Sequence, residues 1–315
     1  QQLAVEVPLR MMFESATVRG LAARIHDLTQ AAEGLTLPPV VRRSSSAPPP
    51  LSYPEERLWF LEQREMLGRA YNWTLYLRLR GRLDRSALAR SLHDVVDRHE
   101  TLRTRIETAA DGRPVKSIDP LGRMSYEVVD LTALAPDARE ARAREMANTE
   151  APFSLADGVF RVRLLRLESD AHILLIAIHH IVWDGWSRDV FLRELSELYA
   201  AHLERRASPL PELGIRYSDY AAWQREWLEG AQLERQLTYW RAKLASMPAA
   251  LELPTDRPRP PTPTHRGARI AFTVSPAVSD ALRQLCRREG VTLYMVLLSA
   301  FQLLLARWTG QDDIV

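Results

Sequence analysis

The sequence predicts a mixed α/β fold, because two apolar periods interleave along the chain. Alternating or continuous apolar runs at 73–80, 159–167 and 172–179 describe strands, whereas stripes at three- and four-residue spacing through 85–99 and 187–199 describe helices packed on one face. The material for a core is present: 46% of the 315 residues are hydrophobic and 26% charged, an ordinary globular balance. That length accommodates two domains, or one large domain with appendages.

Taken in order, the opening stretch carries Val5, Val7, Leu9, Met12 and Phe13, and then a helical stripe of Val18, Leu21, Ile25 and Leu28 behind Thr17, a plausible N-cap. It is too small for a core of its own. Residues 34–50, rich in proline and serine, read as an extended, solvated linker. A short helix follows through Arg57, Leu58, Trp59 and Leu61. In Trp73–Arg80 the residues Trp73, Leu75, Leu77 and Leu79 alternate with mostly polar ones, the pattern of a half-buried strand. Asp84 then caps a helix whose stripe is Leu88, Leu92, Val95, Val96 and His99. Residues 136–150 form another helix. Val159–Leu167 and His172–His179 are strands joined at Ser169-Asp170, a hairpin turn. Ser187 caps a helix with Val190, Phe191, Leu195, Leu198 and Tyr199 inward. Trp223, Trp227, Tyr239 and Trp240 are spaced for core packing, and the prolines between Leu253 and Pro263 mark a crossing between subdomains. A strand at 268–274, helices at 276–289 and 293–309, and the start of a strand at 312–315 complete the series.

Charge and composition exclude several classes of function. Forty-two basic residues oppose forty acidic ones, a net +2, and no basic run is interleaved with aromatics, so a nucleic-acid groove is not expected. The apolar run Ile173–Ile178 is far too short to span a bilayer, and no charged-then-apolar leader opens the chain. A cytoplasmic protein is the expectation. The lone Cys286, on a helical stripe, has no partner for a disulfide or a zinc site and is expected as a buried structural thiol.

The segment Ile178-His-His-Ile-Val-Trp-Asp-Gly-Trp-Ser187 carries the chemistry. Histidine titrates nearest neutrality and suits proton handling at the lip of a buried strand. Side chains alternate along a strand, so Leu174, Ile176, Ile178 and His180 share one face and Ile173, Leu175, Ala177 and His179 the other. One histidine is therefore free for chemistry and the other held in structure. The same divergence argues against a metal site at His179/His180. The amides of the following helix start lie nearby as a source of partial positive charge.

Four segments in order resemble the condensation domains of nonribosomal peptide synthetases, members of the chloramphenicol-acetyltransferase-like superfamily. His179–Gly185 fits HHxxxDG; Ser52–Leu61, with its Arg57-Leu58-Trp59, resembles the first family motif; Arg98–Thr104 matches RHExLRT; and Tyr217–Trp223 matches YxDYAxW. The stretch Val5–Ala22 resembles the last helices of a peptidyl carrier domain, with the phosphopantetheine-bearing serine upstream of it; Ser15 is not that serine. The resemblance implies the following organisation: carrier helices at 1–33, a linker at 34–50, an N-terminal subdomain at 51–224, and the start of a C-terminal subdomain at 225–315. The two subdomains are expected to form a V with a tunnel between them, the second incomplete.

The implied activity is that of a carrier-dependent acyltransferase, and a piece of this length is expected to be inactive alone. An amine on a downstream carrier attacks the thioester on an upstream carrier, both substrates riding on 4'-phosphopantetheine; the domain itself binds no cofactor. The implied partners are these two carrier domains and an adjacent adenylation domain. His180 is the expected catalytic residue, as general base or as the group that orients the amine. His179 is supporting, bonded to backbone near the strand end. Asp184 has no serine or cysteine nucleophile beside it; it is expected to be architectural, paired with Arg103 in preference to Arg98. Gly185 lets the backbone approach the thioester and offers an amide to the oxyanion. Ser187 caps, while Trp183 and Trp186 are candidates for the tunnel wall, with core packing an equal reading for Trp183. Related readings are an epimerisation domain, which usually has Val-Ser-Trp where this chain has Trp186-Ser187-Arg188, and a non-catalytic recruitment platform. A heterocyclisation domain, with aspartates for the histidines, is excluded.

Overall fold

In a computed structural model, residues 17–31, 37–45, 47–64, 70–121, 124–248, 250–258, 267–268 and 270–314 are described. They divide into two compact units, residues 40–229 and residues 1–39 with 230–315. The apolar residues expected before Ser15 lie outside the described residues.

In the first unit, helix α2 (Tyr53–Gln63) starts on a capping box, in which the Ser52 side chain accepts from the Glu55 amide and the Glu55 carboxylate takes the Ser52 amide. Strand β1 (Asn72–Arg80) follows, then helix α3 (Arg85–Arg98), capped by Asp84 as expected. His99 is not part of that helix: it is the C-cap, and a single 3-10 turn, Glu100–Arg103, leads into the hairpin β2 (Thr104–Thr108) and β3 (Pro114–Ile118). Strand β4 (Ser125–Asp130), helix α4 (Pro136–Asn148), and strands β5 (Phe160–Arg166) and β6 (Ala171–His179) complete a four-stranded sheet of order β1-β6-β5-β4. β6 pairs antiparallel with β1 and β5, and β4 runs parallel to β5. The hairpin at Ser169-Asp170 is therefore present.

Both faces of the sheet are covered, which explains the unbroken apolar run of β6. Leu174, Ile176 and Ile178 pack against Leu88, Leu92 and Val95 of α3 and against Phe191, Leu195 and Leu198 of α5 (Gly185–Leu203). Ile173 and Leu175 face Ala143 and Met146 of α4. A third cluster, Leu51, Trp59, Ile106, Leu155, Val159 and Ile181, lies under α2. The unit closes with α6 (Tyr217–Trp227), along which Trp223 and Trp227 stack at 5.4 Å. The linker is held at Arg43, whose amide donates to Asp219 Oδ1 at 2.9 Å, so residues near 43 are not free in solvent.

The second unit is helical where described: α1 (Val18–Ala31), with the Thr17 hydroxyl accepting the Gly20 amide as an N-cap should, α7 (Gly230–Lys243), α8 (Pro276–Glu289) and α9 (Leu293–Thr309). Residues 267–268, 270–275 and 311–314 form no strand. A strand needs a ladder partner, and among the described residues none pairs with them; Ile270 and Phe272 are 90% and 86% exposed. Tyr239 and Trp240 are exposed rather than core, and the Cys286 thiol is half-buried and free. No single described helix is long and apolar enough to cross a membrane.

Candidate functional site

The chain changes course at the two histidines. β6 ends at His179, the last residue paired with β1, and His180 opens a short 3-10 turn through Val182. Strand alternation therefore does not reach His180; its position comes from the turn. Its backbone amide donates to the Tyr71 carbonyl at 2.7 Å, and its ring stands edge-on to Tyr71 and Trp73 at 6.0 and 5.7 Å.

The two rings have opposite surroundings. His179 is 1% exposed, its Nδ1 accepts the Ile181 amide at 3.1 Å, and its Nε2 faces Glu62 Oε1 at 3.0 Å. With Nδ1 accepting, the ring proton belongs on Nε2, donated to the carboxylate. Burial pushes the His179 pKa down from its ordinary value, and Glu62 opposes that shift. The expected backbone bond is present; the carboxylate partner is an addition. Glu62 had a sequence signal, since Glu55, Trp59 and Glu62 follow the i, i+4, i+7 spacing of a buried stripe.

His180 is half-buried and lines a cavity of about 580 Å³ with Arg98, His99, Asp184, Ser187, Trp183 and Tyr217. Asp184, not Ser187, is the N-cap of α5: its Oδ1 accepts the Ser187 amide at 2.8 Å and the Ser187 hydroxyl at 2.6 Å, while Ser187 Oγ takes the Asp184 amide at 3.2 Å. Those hydrogen bonds from Ser187 hold the Asp184 carboxyl below its ordinary range. Ser187, at N3, is thus the reciprocal half of a capping box.

The pairing of Asp184 with Arg103 is not formed. Arg103 Nε and Nη2 donate to the carbonyls of Val96 and Asp97 at 3.1 and 3.2 Å, and Nη1 donates to the Asp119 carbonyl. Its guanidinium is spent on two carbonyls at the end of α3 and on the Asp119 carbonyl just past β3. Arg98 does line the cavity, but its Nε faces the buried Glu194 Oε1 at 3.4 Å, and His99 Nε2 lies 2.6 Å from the other oxygen. Among the described residues no arginine pairs with Asp184; serine, not arginine, holds this carboxylate.

Gly185 is the first residue of α5, and a Cβ built there meets no atom within 4 Å, so the chain's own packing does not demand glycine. Trp183 is 4% exposed, packs edge-on against Phe191 at 5.6 Å and also borders the cavity, so core and wall are one role. Trp186 is 82% exposed and does not line this cavity: the first turn of α5 points it outward.

The four sequence motifs converge here. Ser52 Oγ lies 3.0 Å from Tyr217 Oη, the Tyr53 amide donates to Gln224 Oε1 at 2.9 Å, and the Ser218 amide donates to Glu100 Oε1 at 2.9 Å. Glu62, Glu194 and Tyr217 are residues of this neighbourhood that motif reading alone left without a role.

The chain is 43% identical over 316 residues to one of the linear gramicidin synthase proteins of Brevibacillus parabrevis, an alignment covering 99% of this chain and 6% of that protein. Among solved structures it is similar to the X-domain from teicoplanin biosynthesis (TM-score 0.75, 30% identity, 86% of this chain and 60% of that one). It is similar too to the first condensation domain of the calcium-dependent antibiotic synthetase in complex with a substrate analogue (TM-score 0.64, 25% identity, 85% and 63%). The chain thus spans a small part of the synthetase relative and about three-fifths of the matched structures. Residues 48–315 match the Condensation domain family, and with these relatives the chain belongs to the condensation domains of nonribosomal peptide synthetases.

Proposed function

We propose that this chain forms amide bonds between substrates tethered as thioesters to two carrier domains. The observation that carries the reading is the separation of the histidines: His179 is locked by Glu62 and Ile181, while His180 stands half-buried in the cavity. In the reaction the acceptor amine adds to the donor thioester carbonyl, forming N–C as the π pair moves to oxygen. His180 takes the proton from nitrogen. Collapse breaks C–S, and the leaving thiolate receives that proton. Only a neutral, aimed amine and donors for the oxyanion are required. Gly185, at the start of α5, would offer one such amide.

The same reading takes the tethers as 4'-phosphopantetheine, and the partners as an upstream donor carrier, a downstream acceptor carrier and an adjacent adenylation domain, in the cytoplasm. It takes helix α1 as part of a carrier domain and the fold as chloramphenicol-acetyltransferase-like. A second reading, a docking platform for another protein, is favoured by the likeness to an X-domain solved as a complex with OxyB. An intact His180 cavity supports catalysis.

The test uses the whole synthetase module with both carriers loaded. His180→Ala is expected to lower amide formation by about 10²- to 10⁴-fold, the usual contribution of a general base, with His179→Ala retaining part of the activity. Undiminished product from His180→Ala would sink the assignment. A wild-type module that binds a partner protein and makes no amide would favour the platform.

A further inference from the structure

The hydroxyl of Tyr217 is oriented by the hydrogen bonds of a buried serine. Ser52 is fully buried, and its Oγ accepts the Glu55 amide at 3.3 Å. A hydroxyl has one proton to donate besides two lone pairs, and a buried one is rarely left without a partner for it. Among the described residues that partner is Tyr217 Oη at 3.0 Å. Either oxygen can donate in that contact; with Ser52 as the donor, Tyr217 accepts and its own phenolic proton is left for another acceptor. Tyr217 lines the cavity that holds His180 and Asp184.

The ring is held on several sides. Lys116 Nζ lies 5.3 Å from its centroid and the Tyr220 ring 5.6 Å away. Lys116 in turn pairs with Glu55 Oε1 at 2.6 Å, and Glu55 Oε2 takes the Ser52 amide at 2.8 Å, so the support closes on itself. Burial raises the phenol's pKa against the opposing hydrogen bond of Ser52, with the charges of Glu55 and Asp184 adding to burial, so the hydroxyl keeps its proton at neutral pH. A donor fixed before reaction, in the same cavity as a base, stabilises charge that develops only in the transition state.

We propose that the Tyr217 hydroxyl, oriented by Ser52, is a catalytic hydrogen-bond donor to the carbonyl oxygen of the tethered acyl substrate. The proposal deepens the amide-forming reading and depends on it. As nitrogen adds, the carbonyl π pair moves to the oxygen that Tyr217 holds, with no proton leaving the phenol. When the pair returns, C–S breaks and the thiolate takes the proton His180 removed.

The experiment compares Tyr217→Phe with wild type in the whole loaded module, measuring kcat and acceptor KM separately. Phenylalanine keeps the ring and its contacts with Lys116 and Tyr220 and removes only the hydroxyl. A kcat loss on the order of 10²-fold with KM little changed is expected, the usual cost of one oxyanion donor. Fluorinated tyrosines at position 217, which keep the hydroxyl and the fold, should turn over faster as the phenol becomes more acidic. Wild-type product with an unaltered Tyr217→Phe rate, or a rate indifferent to phenol acidity, overturns the role of Tyr217 and spares the amide-forming reading. A wild-type module that makes no amide overturns both.

Discussion

Burial separates the two histidines: His179 is enclosed, whereas His180 is half-buried in the cavity. His179, enclosed and hydrogen-bonded through both nitrogens, is held neutral; desolvation lowers its pKa more than Glu62 raises it. The consequence for stability has a definite sign. The unfolded chain takes up this proton near pH 6.5 and the folded chain only below that, so stability rises with pH between the two values and is fully present above about 6.5. Histidine ring resonances followed by NMR should show His179 titrating below 6.5, and lower still in Glu62→Gln, because the anion opposing desolvation is gone. A midpoint that rises in Glu62→Gln would contradict this account.

At the scale of elements, α5 owes its start to Asp184. Asp184→Ala is expected to cost about 1 kcal/mol of stability, the ordinary value of an N-cap, whereas Asp184→Asn, itself a good cap, should keep most of it. Equal losses in urea unfolding for both variants would show that charge, not capping, matters. With a depressed carboxyl pKa the cap's contribution is present above the unfolded value of about 3.8 and is lost as pH falls through the folded one. Arg103 belongs to a different element boundary, tying the end of α3 to the Asp119 carbonyl at the end of β3. Arg103→Met should therefore destabilise by about 2–3 kcal/mol through stranded carbonyls, while the Asp184 carboxyl titrates as before. A raised Asp184 pKa in that variant would mean that the two side chains form an ion pair after all.

At the scale of the whole molecule, the first unit is closed by contacts between segments far apart in sequence. The Glu55–Lys116 pair is 1% exposed at both side chains and joins α2 to the β2–β3 hairpin beneath Tyr217. Removing one partner leaves the other charge buried, so Lys116→Met should cost about 3–5 kcal/mol, and adding Glu55→Gln should recover part of it. Additive losses in chemical denaturation would mean the two side chains are not coupled.

Local rules were enough for much of this protein. Alternation and continuous apolar runs located β1, β5 and β6; the Asp84 and Thr17 caps and the three-to-four-residue stripes located the helices; and the paired histidines with the three other motifs pointed to the family. These features are properties of neighbouring residues, where spacing and cap chemistry decide the outcome. Pairing across the chain was decided by tertiary structure alone. Glu62 meets His179 across 117 positions and Ser52 meets Tyr217 across 165, and no local period encodes such a choice. The same limit misdirected Arg103: Arg98 and Arg103 are equally charged in sequence, and only the fold shows Arg103 spent on helix-end carbonyls and Asp184 satisfied by Ser187. Residues 268–274 alternate as a strand would, yet a strand is made by its neighbour, and the described residues supply none. His180 itself owes its type and motif to the sequence, but its place in the cavity to a strand that ends one residue earlier.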